Sequence, residues 1–266
     1  MIINDVLVSV IMPCYNDEKF IRESISSVLS QTHSNLELLI VDDCSIDQSL
    51  KIINEYRKRD KRIRVFCNDL NRGAAFSRNL ALRESKGEYI AFLDADDLWE
   101  KNKIELQLKF MTDNNYSFSY TNYSVIDENG NRTSIYFTGP KIITHSKFMK
   151  MSYVGCLTVM YKKDIYPDLQ IPNDIYKRND YALWLKLSEK THCYLFNKIT
   201  ALYRKRSANS ISSSKKTTLV KYHKDLFIKL YNFNKITATL ASYNNAIHYI
   251  FKNLKYKKRT KSTNKV

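Results

Sequence analysis

Four short runs of strand-forming residues divide the first hundred positions of this chain: 7–12 (LVSVIM), 36–41 (LELLIV), 63–67 (IRVFC) and 89–93 (YIAFL). The last has no polar alternation, which suits a strand buried on both faces. Helical spacing fills the intervals. Phe20, Ile21, Ile25, Val28 and Leu29 share one face, and Leu50, Ile53 and Tyr56 another. A third helix is expected over 74–85, entered through the turn Asn71, Arg72, Gly73. Asn16 or Asp17 is expected to cap the first helix, Ser45 or Asp47 the second, and Gly87 to end the third. Strand and helix alternating four times predict a parallel, right-handed α/β sheet.

Three of the four strands end in polar groups that such a sheet delivers to one rim. The first gives Tyr15 and Asn16 after Pro13, the second Asp42 and Asp43, the fourth Asp94, Ala95, Asp96 and Asp97. The carboxyl ends of parallel strands are where open α/β sheets bind ligands. Three carboxylates in four residues repel one another unless positive charge sits among them. Hard oxygen donors at that position suit Mg2+ or Mn2+, and the ion would bring a phosphate with it. The competing reading is a polar turn in which Asp97 caps a helix over 100–111.

Beyond residue 114 the pattern loosens. Strands are expected at 118–123 and 134–137 around the turn DENGN, at 157–161 and at 199–203, with helices near 146–151 and 181–188. A polar stretch over 207–216 leads to two helices, at 219–231 (apolar at Leu219, Leu226, Leu230) and 236–254 (apolar at Ile236, Leu240, Ile247, Ile250, Phe251, Leu254). The chain then divides into a main domain, 1–204, with halves 1–114 and 115–204, a helical appendage, 205–255, and a basic tail, 256–266, expected to be disordered. Charge follows the same division. From Lys205 onward there are fifteen lysines and arginines against one acid, Asp225, a net +14 of the chain's +16. The five cysteines are scattered without a CxxC, as reduced thiols in a cytosolic protein would be. No run approaches the roughly 20 apolar residues of a membrane span. The opening MIINDVLVSVIM has no basic leader, so no signal peptide is expected.

In order and spacing, SVIMPCYN, ISSVLSQT, LELLIVDDCSID, NRGAAFSRNLAL and KGEYIAFLDADDLW resemble the N-terminal half of family 2 glycosyltransferases. NDYALWLKL resembles that family's later "ED…W" element, and YRKRSANSIS its YRxHxxSxS segment. The resemblance implies a GT-A fold: a mostly parallel central sheet with helices on both faces, here carrying a C-terminal helical appendage. It implies an inverting enzyme that moves a hexose, glucose or galactose, from a UDP-sugar to a hydroxyl of a glycan or polyprenyl-diphosphate-linked acceptor, in synthesis of a surface polysaccharide such as O-antigen, capsule or lipopolysaccharide.

Carried onto this sequence, the resemblance makes Asp96 a ligand of Mn2+ or Mg2+ and sets Asp94 against the ribose or the ion. Asp43 would accept a hydrogen bond from the uracil imide, which selects against cytosine because its ring N3 is an acceptor. Pro13 shapes the turn, and Tyr15 either stacks on the base or packs at the rim. Arg72 could reach the diphosphate or base from a helix start. Arg78 is either a weaker candidate for the same site or structural. Asp180 would be the general base. Its neighbour is Asn179 where the family usually has Glu. Trp184 is either a platform for a sugar ring or a core residue. Arg206 stands where many relatives have His. An arginine cannot ligate a cation but can neutralise a diphosphate directly. The basic C-terminus, with its apolar stripes, is expected to hold the enzyme peripherally on the inner face of the cell membrane.

Competing classes lack their signatures. The turn after the first strand is PCYND, not GxGxxG, and no GK[ST] follows a glycine turn. The acidic triplet follows the fourth strand, not the first as in a dehalogenase-type phosphatase. A sugar nucleotidyltransferase would open with a Gly-rich, Arg-containing loop. A nucleic-acid-binding protein would not set an acidic cleft ahead of its basic segment, so no nucleic-acid partner is expected.

Overall fold

The computed structural model describes residues 5–172, 175, 177–206 and 216–259. Most of the polar stretch expected over 207–216, and positions 260–266 of the tail, lie outside the described residues.

The first half is four strands joined by three helices. β1 (Val8–Cys14), β2 (Leu36–Asp42), β3 (Ile63–Cys67) and β4 (Tyr89–Phe92) lie in the order β3-β2-β1-β4, all parallel. The helices between them are α1 (Ile21–Leu29), α2 (Ser49–Arg57) and α3 (Ala74–Glu84). Every residue of β2 and β4 is buried, as unalternating apolar runs require. The register pairs Cys14 with Asp42 and Ile11 with Phe92, which brings three strand ends to one rim. Pro13 does not end β1, since the strand runs one residue further to Cys14.

Helix starts differ from expectation. α1 begins without a side-chain cap, because Asp17 is drawn into the rim and offers α1 only its backbone carbonyl. Asp47 does accept the Ser49 amide at 2.9 Å at the head of α2. Gly87 does not terminate α3, whose C-cap is Ser85. It is needed for close approach, since a Cβ there would lie 2.5 Å from the Ser9 nitrogen of β1.

The second half turns the sheet mixed. Its elements are β5 (Leu98–Trp99), α4 (Lys103–Asp113), β6 (Phe118–Ile126), β7 (Arg132–Phe137), β8 (Ile142–Ile143), α5 (His145–Lys150), β9 (Met160–Lys162), α6 (Asn179–Ser188) and β10 (Cys193–Arg204). A 3-10 turn at Cys156–Thr158 occupies the start of the strand expected over 157–161. β9 inserts antiparallel between β4 and β6, and β7 continues antiparallel. β10 runs parallel beside β6 and antiparallel to β5 and β8. The sheet is therefore parallel through β4 and mixed beyond it.

The C-terminal helices are α7 (Lys216–Tyr231) and α8 (Lys235–Tyr256). Leu226 and Phe227 of α7 and Ala238 of α8 join the same core as Phe92, Phe148 and Trp184. Of the apolar stripe expected on α7, Leu226 and Leu230 thus pack on the main domain, while the Leu219 side chain lies outside those described. The tail is also less free than its composition predicts. Lys257–Arg259 form β11, antiparallel to β7, and cover that edge strand's unpaired backbone.

Candidate active site

The rim has two acidic ends with different partners. At the β2 end, Asp43 is buried and its carboxylate accepts three protein donors: the Asn68 side-chain amide at 2.7 Å, the Arg72 amide at 2.9 Å and the Gly73 amide at 2.7 Å. It thereby fixes the loop that enters α3, where Gly73 takes a φ of 83°. Asp42 accepts the Ser45 amide at 3.0 Å. The Arg72 guanidinium lies 4.6 Å over the Phe76 ring, exposed at the same loop. Tyr15 projects from the end of β1 and is 45% exposed.

At the β4 end the carboxylates face one another. Asp17, Asp94 and Asp96 share this corner, with Asp97 buried beneath. Burial pushes the Asp96 carboxyl up to about 6, with the charges of Asp94 and Asp17 adding to the effect. Burial likewise raises Asp17, and raises Asp97 well above the ordinary range. Three arginines answer these charges. Arg206 Nη1 donates to Asp17 at 2.9 Å and to Asp96 at 3.2 Å, bridging them. Arg78, buried, donates to Asp94 and to the Asn179 side chain, both at 2.5 Å. Arg204, fully buried, donates its Nε to the Asp96 carbonyl at 2.8 Å and its Nη2 to Glu23 at 2.7 Å. Asp97 accepts the Arg204 backbone amide at 2.8 Å, so it anchors β10 and does not cap α4, whose N-cap is Asn102. Ala95 is buried, its carbonyl accepting the Ser24 hydroxyl of α1 at 2.8 Å.

Asn179 and Asp180 open α6 after Arg178, which turns the chain at a φ of 64°. Through Asn179 and Arg78, this helix start is tied to Asp94. A glutamate at 179 would also pair with Arg78. The neutral amide keeps the contact and adds no further negative charge beside Asp180. Asp180 itself is half-buried.

The structure therefore gathers Asp94, Asp96, Arg206 and, one link away, Asp180. Asp43, Arg72 and Tyr15 form the other end of the rim. Trp184 is not at the site. It is fully buried with its ring 5.4 Å from that of Phe92 in an edge contact, so the sugar-platform alternative fails and the core alternative holds. Sequence reasoning missed Asp17 and Arg204. Asp17 looked like a cap, and no local pattern says that Arg204, 108 positions away, holds the Asp96 carbonyl.

The donor set also bears on a cation. Among the described residues no three His, Cys, Asp or Glu side chains are placed to hold a metal alone. Asp94 and Asp96 nonetheless fit Mg2+ or Mn2+. Such ions take one or two carboxylates and complete their coordination with substrate phosphates and water. Asp94 and Asp17 facing Asp96 set like charges together, a repulsion that a cation would relieve.

The glycosyl transferase family 2 model matches residues 9–169, from β1 through the acidic corner. The chain belongs to glycosyl transferase family 2. It is 43% identical over 210 residues to TuaG of Bacillus subtilis (strain 168), a glycosyltransferase named for teichuronic acid biosynthesis, covering 79% of this chain and 82% of that protein. It is 42% identical over 214 residues to WfgD of Escherichia coli, a UDP-Glc:alpha-D-GlcNAc-diphosphoundecaprenol beta-1,3-glucosyltransferase, covering 80% and 82% of the two chains. Among solved structures, Staphylococcus aureus TarS 1–349 in complex with UDP superposes with a TM-score of 0.69 at 20% identity, over 93% of this chain and 73% of that one. A Pyrobaculum calidifontis mannosyltransferase in complex with GDP-Man and Mn2+ superposes with a TM-score of 0.59 at 16% identity, over 92% and 74%. The fold is that of GT-A glycosyltransferases, and the chain is a family 2 glycosyltransferase.

Proposed function

We propose that this enzyme transfers a hexose, glucose before galactose, from its UDP-sugar to a hydroxyl of a lipid-linked glycan during surface-polysaccharide synthesis, with inversion at the anomeric carbon. The observation that carries this reading is the link from Asp94 through Arg78 and Asn179 to the start of α6. It ties a carboxylate suited to proton abstraction to the acidic corner suited to a diphosphate. The choice of glucose and of a diphosphate-lipid acceptor draws on the name of WfgD.

Asp180 takes the proton of the acceptor hydroxyl as its oxygen attacks the anomeric carbon. The bond from that carbon to the β-phosphate oxygen breaks on the opposite face, and UDP leaves with the electron pair. Asp96 and Asp94 would hold the divalent ion, which supplies stabilisation of the charge developing on the diphosphate. Arg206 adds a fixed positive charge beside Asp96 where relatives carry a histidine, and can turn toward the diphosphate. At the other end, Asp43 has three of its roughly four lone-pair positions filled, leaving one for the uracil imide. The exposed Tyr15 ring stacks on the base, and Arg72 borders it. Enzyme and acceptor meet at the inner face of the cell membrane, with the basic C-terminal segment as the contact.

The test is a screen of UDP-sugars and GDP-mannose with Mn2+ or Mg2+, reading release of the nucleotide. Turnover of UDP-glucose or UDP-galactose, lost in Asp180→Asn, supports the reading. Turnover of GDP-mannose alone overturns it.

A further inference from the structure

α8 is built inside out. The face it turns to the protein is small or polar: Ala238, Ser242 and Asn245 are buried, and Asn245 Nδ2 donates to the Tyr181 hydroxyl of α6 at 3.2 Å. Lys252 shares this side, donating to the Ser152 carbonyl at 3.0 Å, and burial lowers its ammonium to about 8. The opposite face carries Ile236, Leu240, Tyr243, Ile247, Phe251 and Leu254, each between 54% and 75% exposed. At 100° per residue these six fall within an arc of about 80°, and the stripe is about 27 Å long. A helix that buries its polar side and exposes its large apolar side has its apolar partner elsewhere.

Charge selects the partner. After Asp225 the chain holds nine lysines and arginines and no acid. Lys255 and β11's Lys257, Lys258 and Arg259 are exposed at the end of the stripe, and β11 is pinned to β7 by backbone pairing. Pairing two copies along this face would bring like charges together, with no glutamates to answer them. An anionic lipid surface answers both features, since an apolar stripe beside a basic cluster is the two-part pattern of a helix lying in the interface. No described helix is long and apolar enough to cross a membrane.

We infer that the outward face of α8, from Ile236 to Leu254, docks in-plane on an anionic lipid bilayer. The docking sets α6, which begins with Asn179 and Asp180 and touches the inner face of α8, one helix diameter of about 10 Å from the lipid. This deepens the reading of a lipid-linked acceptor, and its test does not depend on that reading.

The experiment is sedimentation of the full chain with vesicles of phosphatidylglycerol and phosphatidylcholine, and with phosphatidylcholine alone. The wild type pellets with the anionic vesicles at low salt, and about 0.5 M NaCl weakens this by shortening the screening length. The variant Leu240→Gln/Ile247→Gln/Phe251→Gln, altered only at exposed positions, keeps its melting temperature and loses at least tenfold in partitioning. Phe251→Trp shifts its emission to the blue on adding anionic vesicles. Equal partitioning of the triple variant and wild type, or a wild type that ignores anionic vesicles, overturns the inference. So does a wild-type dimer in sedimentation equilibrium that the triple variant converts to monomer without any vesicle binding. Nucleotide release from UDP-glucose in solution, read on the same variants, is expected to be unchanged and reports on the catalytic reading separately.

Discussion

Asp43 and Asp96 look alike in the sequence, each the second carboxylate at the end of a buried strand, yet they serve opposite ends of the energy balance. Asp43 has three N–H donors from its own chain. Its negative charge is used to hold the loop into α3. Asp96 has one guanidinium contact, and burial raises its proton affinity, with the charges of Asp94 and Asp17 adding to the effect. Among the described residues its charge is met by Arg206 alone, and the proposed function assigns it to a cation and a diphosphate. A carboxylate that accepts backbone amides holds its loop as well as any ligand, whereas one crowded by other carboxylates is a candidate for a cation.

Substitutions can break that contrast. The largest effect is expected at the crowded end. Asp96→Ala should abolish transfer, and Asp96→Asn should lower kcat/KM by on the order of 10³, in a steady-state assay with Mn2+. Neither should lower the melting temperature at pH 7. The native carboxyl titrates above its unfolded value, so ionising it at neutral pH costs stability, and the amide removes that cost. Asp180→Asn should follow, with a loss of about 10²–10⁴ in kcat and little change in affinity for the donor, checked by single-turnover kinetics. A loss of donor affinity instead would move Asp180 to the donor site.

At the satisfied end the effect should appear in stability. Asp43→Ala strands two backbone amides and one side-chain amide, costing about 2–3 kcal/mol in urea unfolding. An unchanged midpoint would show that the loop holds without it and would erase the contrast. The smallest effect is expected from Arg206→Gln, about tenfold weaker UDP binding by calorimetry, because one charge-assisted contact beside Asp96 is removed.

How much of this could be read from the sequence depends on the range of the interaction. The four strands and three helices of the first half were readable because apolar runs and helical spacing are local, and each polar strand end followed from where its run stopped. The pairing of β10 parallel to β6, and the insertion of β9 between β4 and β6, have no local signature. They make the sheet mixed beyond β4, where the resemblance implied a mostly parallel one. At the site, Asp94 and Asp96 stood out by their place at a strand end, and Asp180 by the family resemblance alone. The Asp17–Arg206–Asp96 bridge joins residues as much as 189 positions apart, and only the fold reveals it. Trp184 has the same helical spacing whether it faces a sugar or a core, so burial alone decides it. On α8 the apolar periodicity was plain, but not which face would be turned inward.

The central claim is that the Asp96 corner is reserved for a diphosphate and its cation while the Asp43 corner is not. The most direct test is calorimetry of UDP binding with and without Mn2+, on wild type and on Asp96→Asn, with both proteins folded by circular dichroism. The account predicts that Mn2+ tightens UDP binding at least about tenfold in the wild type, a coupling of about 1.4 kcal/mol, and less than about twofold in Asp96→Asn. An equal Mn2+ effect in the two proteins would contradict it.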